Sequence, residues 1–348
     1  MNPTKIEWCD ETWNPVSGCS KVSQGCKNCY AERMFPRPYA GDQWPNGDGT
    51  FRPRRFTDVE CHLNRLDQPL RMRKPRRIFV NSMSDLFHED VPDEFIDRVF
   101  AVMAIAQQHT FLVLTKRPER MREYLSDVGL NNRVGERMAC ISDAADRAGI
   151  RHEHPGWGFV RPPSDPMPPL QNVLLGVSCE DQATADERIP LLLKTPAAVR
   201  FVSAEPLIGR VDFCEHLGMW WNQTMKCFES VGKKFNPGGL DWVIVGGESG
   251  PGARPFDVQW ARDIVAQCKA AGVPVFVKQL GARPIVADKG ARSNFPLRYK
   301  QGVSDDENGA YIQLDDRKGG DWTEWPEDLR VREWPPKAAG AARNDNDA

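Results

Sequence analysis

The chain has 348 residues, 40% hydrophobic and 27% charged, so its composition supports a sizeable core and excludes an intrinsically disordered protein. Its length allows one large domain or two ordinary ones. No stretch approaches the roughly 18 consecutive apolar residues of a membrane span, and the N-terminus lacks the apolar segment of a secretory signal. We therefore expect a cytoplasmic protein.

The formal net charge of −2 indicates no general attraction to nucleic acid, but the charge is unevenly distributed. Residues 51–80 contain nine arginines or lysines and three acidic residues, whereas residues 301–348 contain twelve acidic and six basic residues. A basic segment of this kind is typical either of a solvated surface or of a site for a phosphate-bearing partner. The pattern alone does not decide between these two interpretations.

Six short apolar segments predict β-strands and begin near residues 77, 110, 172, 199, 242 and 273. A further strand is expected before Cys19, which gives about seven. Apolar residues at helical spacing follow four of them, after Pro92, after Pro118, from Asp181 to Lys194 and from Asp257 to Gly272. Continuous apolar strands that alternate with helices are typical of a parallel sheet covered on both faces. We predict an α/β fold, namely a partial or open (β/α) barrel with loop insertions; a doubly wound open sheet is the alternative.

The interruptions of this pattern predict the domain organisation. Residues 1–300 are expected to form one barrel domain, with insertions near 36–57, 151–170 and 215–240. Residues 301–334 are expected to form a C-terminal extension packed on the barrel. The alanine-, asparagine- and aspartate-rich residues 335–348 predict a disordered tail.

Four of the ten cysteines, Cys9, Cys19, Cys26 and Cys29, fall within 21 residues. In a reducing compartment such a cluster indicates a metal site rather than disulfides. The last three have the spacing C-x6-C-x2-C in residues 18–29, which we call the cysteine loop. Three thiolates on one loop can hold three irons of a [4Fe–4S] cluster and leave the fourth iron open to a substrate or cofactor.

A structural zinc site is the alternative interpretation of the cysteine loop. Its fourth ligand would be Cys9 or Cys61, or one of the histidines His88, His152 and His154. Zinc sites usually pair C-x2-C with a second cysteine or histidine pair, and the sequence contains no such second pair. The spacing therefore favours the cluster over zinc.

The cysteine loop, followed by Tyr30 and Ala31 at the start of an α/β chain, resembles the radical S-adenosylmethionine (SAM) superfamily. Those enzymes typically carry C-x3-C-x2-C, so the first gap is longer here. The whole chain more closely resembles a phage-associated family with a three-cysteine motif. That resemblance rests on five segments: TWNP at 12–15, LTKRP at 114–118, VIVGGESG at 243–250, DRKGG at 316–320 and EWPEDLRVR at 324–332.

The resemblance to radical SAM enzymes implies a TIM-barrel-like fold, a [4Fe–4S] cluster on Cys19, Cys26 and Cys29, and SAM as a second cofactor. It also implies a reducing protein partner such as a flavodoxin or ferredoxin. The candidate cofactor-binding residues lie at strand ends or follow the cysteine loop: Tyr30, Ser82, Asp85, Ser178, Glu180, Gly246, Gly247 and Glu248. The candidates for catalysis or substrate binding are charged strand-end residues: Lys116, Arg117, Glu205 and Lys278.

Each candidate also has a purely structural interpretation. Gly246 and Gly247 could form only a tight turn, Glu180 or Glu205 could cap a helix, and Glu248 could pair with Arg254. Tryptophans raise the same question, because they either stack nucleic-acid bases or pack in the core. The tryptophans concerned are Trp8, Trp13, Trp44, Trp220 and Trp221.

We expect a radical SAM-type enzyme that repairs or modifies a base in a nucleotide or nucleic-acid-linked substrate. The basic residues 51–80 beside the cysteine loop and the family's phage setting favour that substrate class. The alternative is a non-enzymatic nucleic-acid-binding protein stabilised by zinc or by a cluster. A metal-free hydrolase or lyase that uses Glu180, Glu205 and Lys278 ranks last, because no G-x-S-x-G nucleophile motif is present.

Overall fold

The computed structural model describes residues 2–35, 41–127, 129–147, 168–222, 227–230, 239–286, 305–306 and 309–336. Its largest sheet contains seven parallel strands that are neighbours in the same order as in the chain. They are β1 (Glu11–Trp13), β2 (Arg77–Val80), β3 (Thr110–Thr115), β4 (Val173–Ser178), β5 (Val199–Ala204), β6 (Trp242–Gly246) and β7 (Val275–Gln279). The strand Asn2–Pro3 adds an antiparallel edge to β1. This sheet confirms the predicted α/β class and is that of an open (β/α) barrel.

The described α-helices are α1 (Tyr30–Met34), α2 (Asp93–Ile105), α3 (Pro118–Leu125), α4 (Leu130–Arg147), α5 (Gln182–Leu193) and α6 (Val258–Ala271). The four helices predicted from the sequence correspond to α2, α3, α5 and α6. The ends of α6 follow ordinary capping chemistry. The Asp257 carboxylate accepts a hydrogen bond from the Gln259 N–H at 3.0 Å, and Gly272 ends the helix at φ 65°.

Apart from β1, in which only Trp13 is buried, the seven parallel strands of the main sheet are buried along almost their whole length. Every residue of β4 and β6 is buried, and only one residue of β3 is partly exposed. The residues concerned are mostly valine, leucine and isoleucine, which suit parallel strands covered on both faces. No described helix is long and apolar enough to cross a membrane.

The chain divides into two compact units, which are described separately. Unit 1 comprises Met1–Gly176, Lys194–Ala198 and Pro336–Ala348. In this unit α2 packs against α4, and the fully buried Trp13 donates from its indole N–H to the Arg65 carbonyl at 2.7 Å. Trp8 packs against Phe79 with 4.7 Å between ring centroids. Trp8 and Trp13 therefore serve the core, as their structural interpretation expected.

Unit 2 comprises Val177–Leu193 and Val199–Pro335. It contains β5, β6, β7, α5 and α6. A second sheet of four short strands lies in the same unit, in the order Phe256–Asp257, Pro284–Val286, Gly309–Tyr311 and Asp305–Asp306. Trp242 packs in the core against Phe201 and Phe276, at 5.6 and 6.3 Å between ring centroids. A single domain over residues 1–300 stays a prediction.

The predicted insertions and tail lie partly outside the described residues. This holds for residues 36–40, 151–167, 223–226 and 231–238, for 301–304 and 307–308 of the extension, and for 337–348 of the tail. The described part of the first insertion contains a hairpin of Gln43–Pro45 and Phe51–Pro53. In the third, Met219–Asn222 pairs with Cys227–Ser230. The side chains of Trp220 and Trp221 lie outside the described part.

Candidate functional site

The cysteine loop follows β1 in unit 1 and is fixed at its start by backbone contacts. Gly18 forms a parallel bridge with Ser84, just beyond β2, and has φ +92°. A β-carbon at Gly18 would lie 2.5 Å from the Asp58 carbonyl oxygen, so only glycine allows this close approach. The next residue, Cys19, donates its backbone N–H to the Phe56 carbonyl at 2.8 Å.

Cys19, Cys26 and Cys29 are half-buried free thiols. The Cys19 thiol contacts the Ser20 carbonyl at 3.4 Å, and the Cys26 sulfur lies 3.9 Å from the Ser23 hydroxyl. Cys26 ends the short 3-10 helix Gln24–Cys26, and Cys29 directly precedes α1. Among the described residues, no three cysteine, histidine or acidic side chains are arranged so that they could hold a metal ion.

Arg117, at the end of β3, places its guanidinium against the cysteine loop. Its Nη1 lies 3.6 Å from the Cys19 sulfur and 3.3 Å from the Asp85 carboxylate. Its Nη2 donates to the Ser20 hydroxyl at 2.7 Å and to the Ser20 carbonyl at 3.4 Å. Its Nε donates to the Glu89 carboxylate at 2.9 Å. Arg117 thus joins the end of β3 to the loop after β1.

Asp85, beyond the end of β2, is buried and holds Arg117 in this place. Its carboxylate accepts hydrogen bonds from the Thr115 hydroxyl at 2.7 and 2.9 Å, and from the backbone N–H groups of Lys116 and Phe87 at 3.1 and 3.0 Å. A carboxylate with this many donors is rigidly oriented. The strand ends of β2 and β3 therefore reach the cysteine loop through one connected set of polar contacts.

The environment of Cys19 affects its proton in opposing ways. Burial, together with the negative charge of Asp85, raises the pKa of the Cys19 thiol to about 12, while Arg117 acts to lower it. The thiol is therefore neutral at pH 7 in this state. A metal that binds a cysteine displaces the proton, and Arg117 is the group already placed to stabilise the resulting thiolate.

A second set of contacts links Ser20 to His88. The His88 Nδ1 accepts the Asp90 backbone N–H at 3.1 Å, so its proton is assigned to Nε2, which lies 2.8 Å from the Ser20 hydroxyl oxygen. Burial and the charge of Arg117 lower the His88 pKa. A histidine that donates to a serine cannot remove its proton. Ser20 and His88 are therefore not a nucleophile and its base.

Tyr30 and Ser82 also meet in unit 1. The Tyr30 hydroxyl donates to the Ser82 carbonyl, and the Ser82 hydroxyl donates to the Asn14 side-chain oxygen at 3.1 Å. The candidate residues of unit 1 thus lie in one region of the structure. Some contact each other directly, and the others are linked through residues next to them in the chain. These candidates are Cys19, Cys26, Cys29, Tyr30, Ser82, Asp85, Lys116 and Arg117.

In unit 2, Glu180 forms a buried ion pair with Arg188. The Arg188 Nη1 lies 3.1 Å from the Glu180 carboxylate and donates to the Ser178 carbonyl at 2.8 Å. All three residues are buried, Glu180 completely. Ser178 and Glu180 are therefore brought together by an arginine of α5.

Glu205 and Lys278 also form a pair in unit 2. The Lys278 ammonium lies 2.6 Å from Glu205 Oε1, which also accepts the Gln279 amide N–H at 3.1 Å. A β-carbon at Gly246 would lie 3.3 Å from the Glu205 side chain, so this glycine gives the carboxylate room. Gln279 belongs to this group of side chains and was not among the predicted site residues.

Gly247 and Glu248 have structural partners of their own. A β-carbon at Gly247 would lie 2.5 Å from the Leu280 carbonyl oxygen, so glycine is needed for the close passage of two backbone segments. Glu248 pairs with Arg254 at 2.7 Å, as its structural interpretation expected. Cofactor binding at Gly246 and Gly247 stays a prediction.

Four of the nine arginines and lysines in the basic segment 51–80 form ion pairs with acidic residues of unit 1. Arg52 pairs with Asp58 at 2.5 Å, Arg54 with Glu60 at 2.7 Å, Arg77 with Asp10 at 3.1 Å, and Arg71 with Asp67. Of the others, Arg55, Arg73 and Lys74 are exposed. Trp44 lies beside this segment, 5.3 Å from the Arg54 guanidinium.

Of three further residues in the region around Cys19, sequence reasoning missed Ser20 and Glu89, and it named His88 only as a possible zinc ligand. Ser20 lies inside the cysteine loop, but its residue type carries no signal of its own. His88 and Glu89 follow Asp85 by three and four residues, beyond the strand end. Only the path of the loop shows that all three surround Arg117.

Three comparisons with known proteins complete this description. A solved structure, that of a mutant of spore photoproduct lyase, matches with a TM-score of 0.37 and 11% sequence identity. The match covers 90% of this chain and 71% of that chain. None of the curated proteins matches. The family model described as "Protein of unknown function (DUF5131)" matches residues 3–324, so the chain belongs to the DUF5131 family.

Proposed function

We propose that this protein is a radical SAM-type enzyme whose [4Fe–4S] cluster is held by Cys19, Cys26 and Cys29. One observation carries the proposal. Three free thiols lie on the loop after β1, Arg117 after β3 contacts Cys19 of that loop, and Asp85 after β2 binds Arg117. Polar groups gathered at the C-terminal ends of successive parallel strands are the arrangement in which barrels build active sites.

The residue types of the donor set suit such a cluster, although the three cysteine side chains are not arranged around one metal position in this structure. Thiolates are the ligands that iron–sulfur clusters and zinc prefer, and three of them leave one iron of a cluster open. A closed zinc site needs a fourth ligand. His88, the histidine that contacts the cysteine loop, already uses both ring nitrogens, on Ser20 and on the Asp90 backbone. The neighbourhood of the loop therefore favours the cluster.

A [4Fe–4S] cluster held by Cys19, Cys26 and Cys29 would supply the one-electron chemistry for the reductive cleavage of SAM. The protein's own residues must orient the two cofactors and exclude water. Gly18 and Ser84 fix the start of the cysteine loop. Asp85, whose carboxylate is occupied by Thr115, Phe87 and Lys116, acts through Arg117 rather than on SAM directly.

The substrate class proposed is a phosphate-bearing one, a nucleotide or nucleic acid whose base is modified or repaired. Its support is the set of exposed cations Arg55, Arg73 and Lys74 in the unit that holds the cysteine loop. Phosphate contacts make binding weaken steeply with salt. A gel-shift series against salt, with DNA and RNA, tests this class. Absence of salt-sensitive binding to DNA or RNA would exclude nucleic acid and favour a small substrate.

Anaerobic purification of the full chain, with iron, sulfide and zinc measured per chain, tests the enzyme class. About four irons and four sulfides support the cluster, and reductive cleavage of added SAM is then the next measurement. One zinc without iron, reproduced after anaerobic reconstitution with iron and sulfide, would discard the proposal. It would leave the alternative of a metal-stabilised nucleic-acid-binding protein.

A further inference from the structure

Arg117 has no N–H group left for a substrate or for SAM. A guanidinium carries five N–H donors in a fixed planar fork. Each has a partner in unit 1: Nε has Glu89, Nη1 has Cys19 and Asp85, and Nη2 has the hydroxyl and the carbonyl of Ser20. The role in substrate binding predicted from the sequence would require breaking one of these contacts.

The contact with Cys19 differs from the other four because its acceptor changes with the state of the protein. The neutral thiol is a weak acceptor, and it makes its own hydrogen bond to the Ser20 carbonyl. A cysteine that binds iron is a thiolate, which has lost this proton and is a strong acceptor. Arg117 already lies 3.6 Å from that sulfur.

The charges around Arg117 keep its guanidinium in place. Its side chain is only 10% exposed, and a buried cation needs a compensating anion. Asp85 supplies that anion and is itself held by Thr115 and by backbone N–H groups. The second anion, Glu89, is 64% exposed and therefore screened by solvent. The positive edge of Arg117 next to Cys19 is thus fixed before any metal binds.

We infer that Arg117 is a positioning residue that donates a hydrogen bond to the cluster-bound Cys19 thiolate and raises the reduction potential of the cluster. Adding an electron makes the cluster more negative, and a fixed cation with an N–H donor stabilises the reduced state more than the oxidised one. The inference rests on the proposed function, since it requires a cluster on Cys19.

The test is a redox titration of the anaerobically reconstituted full chain, followed by its visible absorbance. The variant is Arg117→Gln, and the matched control is Arg122→Gln. Arg122 lies on α3, the helix that begins directly after Arg117, and is partly exposed, and its replacement changes the net charge by the same amount. Iron and sulfide per chain are measured for every sample. We expect Arg117→Gln to load the cluster but to show a lower midpoint potential, and Arg122→Gln to match the wild type.

If Arg117→Gln folds poorly, as judged by circular dichroism, the midpoint potential is measured on Arg117→Lys instead. Lysine keeps the positive charge but not the five-donor fork, so its midpoint potential should lie between those of the wild type and the glutamine variant. Potentials equal to that of Arg122→Gln in both variants would overturn the inference. If both variants fold but contain no iron, the inference is overturned too, because Arg117 would then be needed to retain the cluster rather than to set its reduction potential. If the wild-type chain itself contains no iron after reconstitution, the proposed function is refuted rather than the role of Arg117 alone.

Discussion

In unit 1, the guanidinium of Arg117 after β3 contacts Cys19 of the cysteine loop and also binds the Asp85 carboxylate that follows β2. In unit 2, the strand-end acids pair off separately. Glu180 binds Arg188, Glu205 binds Lys278 and Glu248 binds Arg254. The two units thus carry charged residues at the ends of their parallel strands. Among the described residues, those of unit 1 gather around the free thiol of Cys19, whereas those of unit 2 pair with one another.

This difference limits what a polar strand end indicates. An acid that neutralises a nearby arginine stabilises the fold, and a buried pair of that kind serves structure as readily as function. The three thiols are different, because each is a free cysteine on one short loop and none forms a disulfide. Convergence on thiols of metal-binding spacing is therefore the better sign of a site than the presence of charge.

The largest effect that this comparison predicts is loss of iron from the cysteine loop. Replacing Cys19, Cys26 or Cys29 singly by alanine should reduce iron per chain to background, because two thiolates do not retain a [4Fe–4S] cluster. Cys140→Ala is the control, an exposed cysteine of α4. Iron analysis after anaerobic reconstitution provides the measurement. Wild-type iron in any of the three loop variants contradicts the assignment of that residue as a ligand.

The next effect concerns stability in unit 2. Glu180→Gln leaves the Arg188 cation buried without its anion, so the free energy of unfolding should fall by about 3–5 kcal/mol. Urea unfolding measures it. Arg71→Gln removes a pair whose side chains are 61% and 38% exposed and should cost less than about 1 kcal/mol. If Glu180 served a ligand rather than the fold, the two losses would be similar.

The sequence predicts the main sheet well for a physical reason. Buried parallel strands are apolar almost throughout, so their segments stand out, as six of the seven do here. The exception is β1, in which Glu11 and Thr12 are partly exposed. The same holds for α6, whose two ends carry a capping aspartate and a glycine. Helix α4 was not predicted. Its buried apolar positions, Leu130, Val134 and Met138, form a narrow stripe, and its first turn has no acidic residue.

The candidate site is only partly predictable from the sequence. Cysteine spacing indicates the metal chemistry, and strand ends indicate Asp85 and Arg117, because parallel strands bring their ends to one edge of the sheet. That all five N–H donors of Arg117 have partners within the protein depends on side-chain direction, which the sequence does not show. So does the contact of Ser20 with His88, which requires the loop to turn at Gly18 with positive φ. No residue pattern encodes such contacts.

A pH-dependent effect should arise beneath the cysteine loop in unit 1. His62 lies 2.6 Å from the Ser17 hydroxyl, and burial, with Arg65 and Arg54 nearby, lowers its pKa to about 4. Between pH 6.5 and 4 the unfolded chain binds a proton that the folded chain does not, so stability falls as the pH falls through this range. The loss from His62 amounts to about 3 kcal/mol.

His62→Asn tests this pH dependence, because asparagine keeps a polar side chain that does not titrate. Glu60 also faces the imidazole, at 3.7 Å, and is retained in the variant. Urea unfolding at pH 7 and at pH 4.5 should show a smaller difference for the variant than for the wild type. An equal difference in both proteins would mean that other groups cause the acid sensitivity.

The smallest effect distinguishes the two glycines after β6. Gly247→Ala should destabilise the protein by about 1–3 kcal/mol, since the added carbon would lie 2.5 Å from the Leu280 carbonyl oxygen, in the rigid backbone. Gly246→Ala meets the Glu205 side chain at 3.3 Å, and a carboxylate with rotatable bonds can move aside. We expect that change to cost less than about 1 kcal/mol. Thermal unfolding of both variants measures the difference. A larger loss of stability for Gly247→Ala supports backbone packing as the reason for that glycine. Equal small losses would leave close approach of a cofactor as the better explanation.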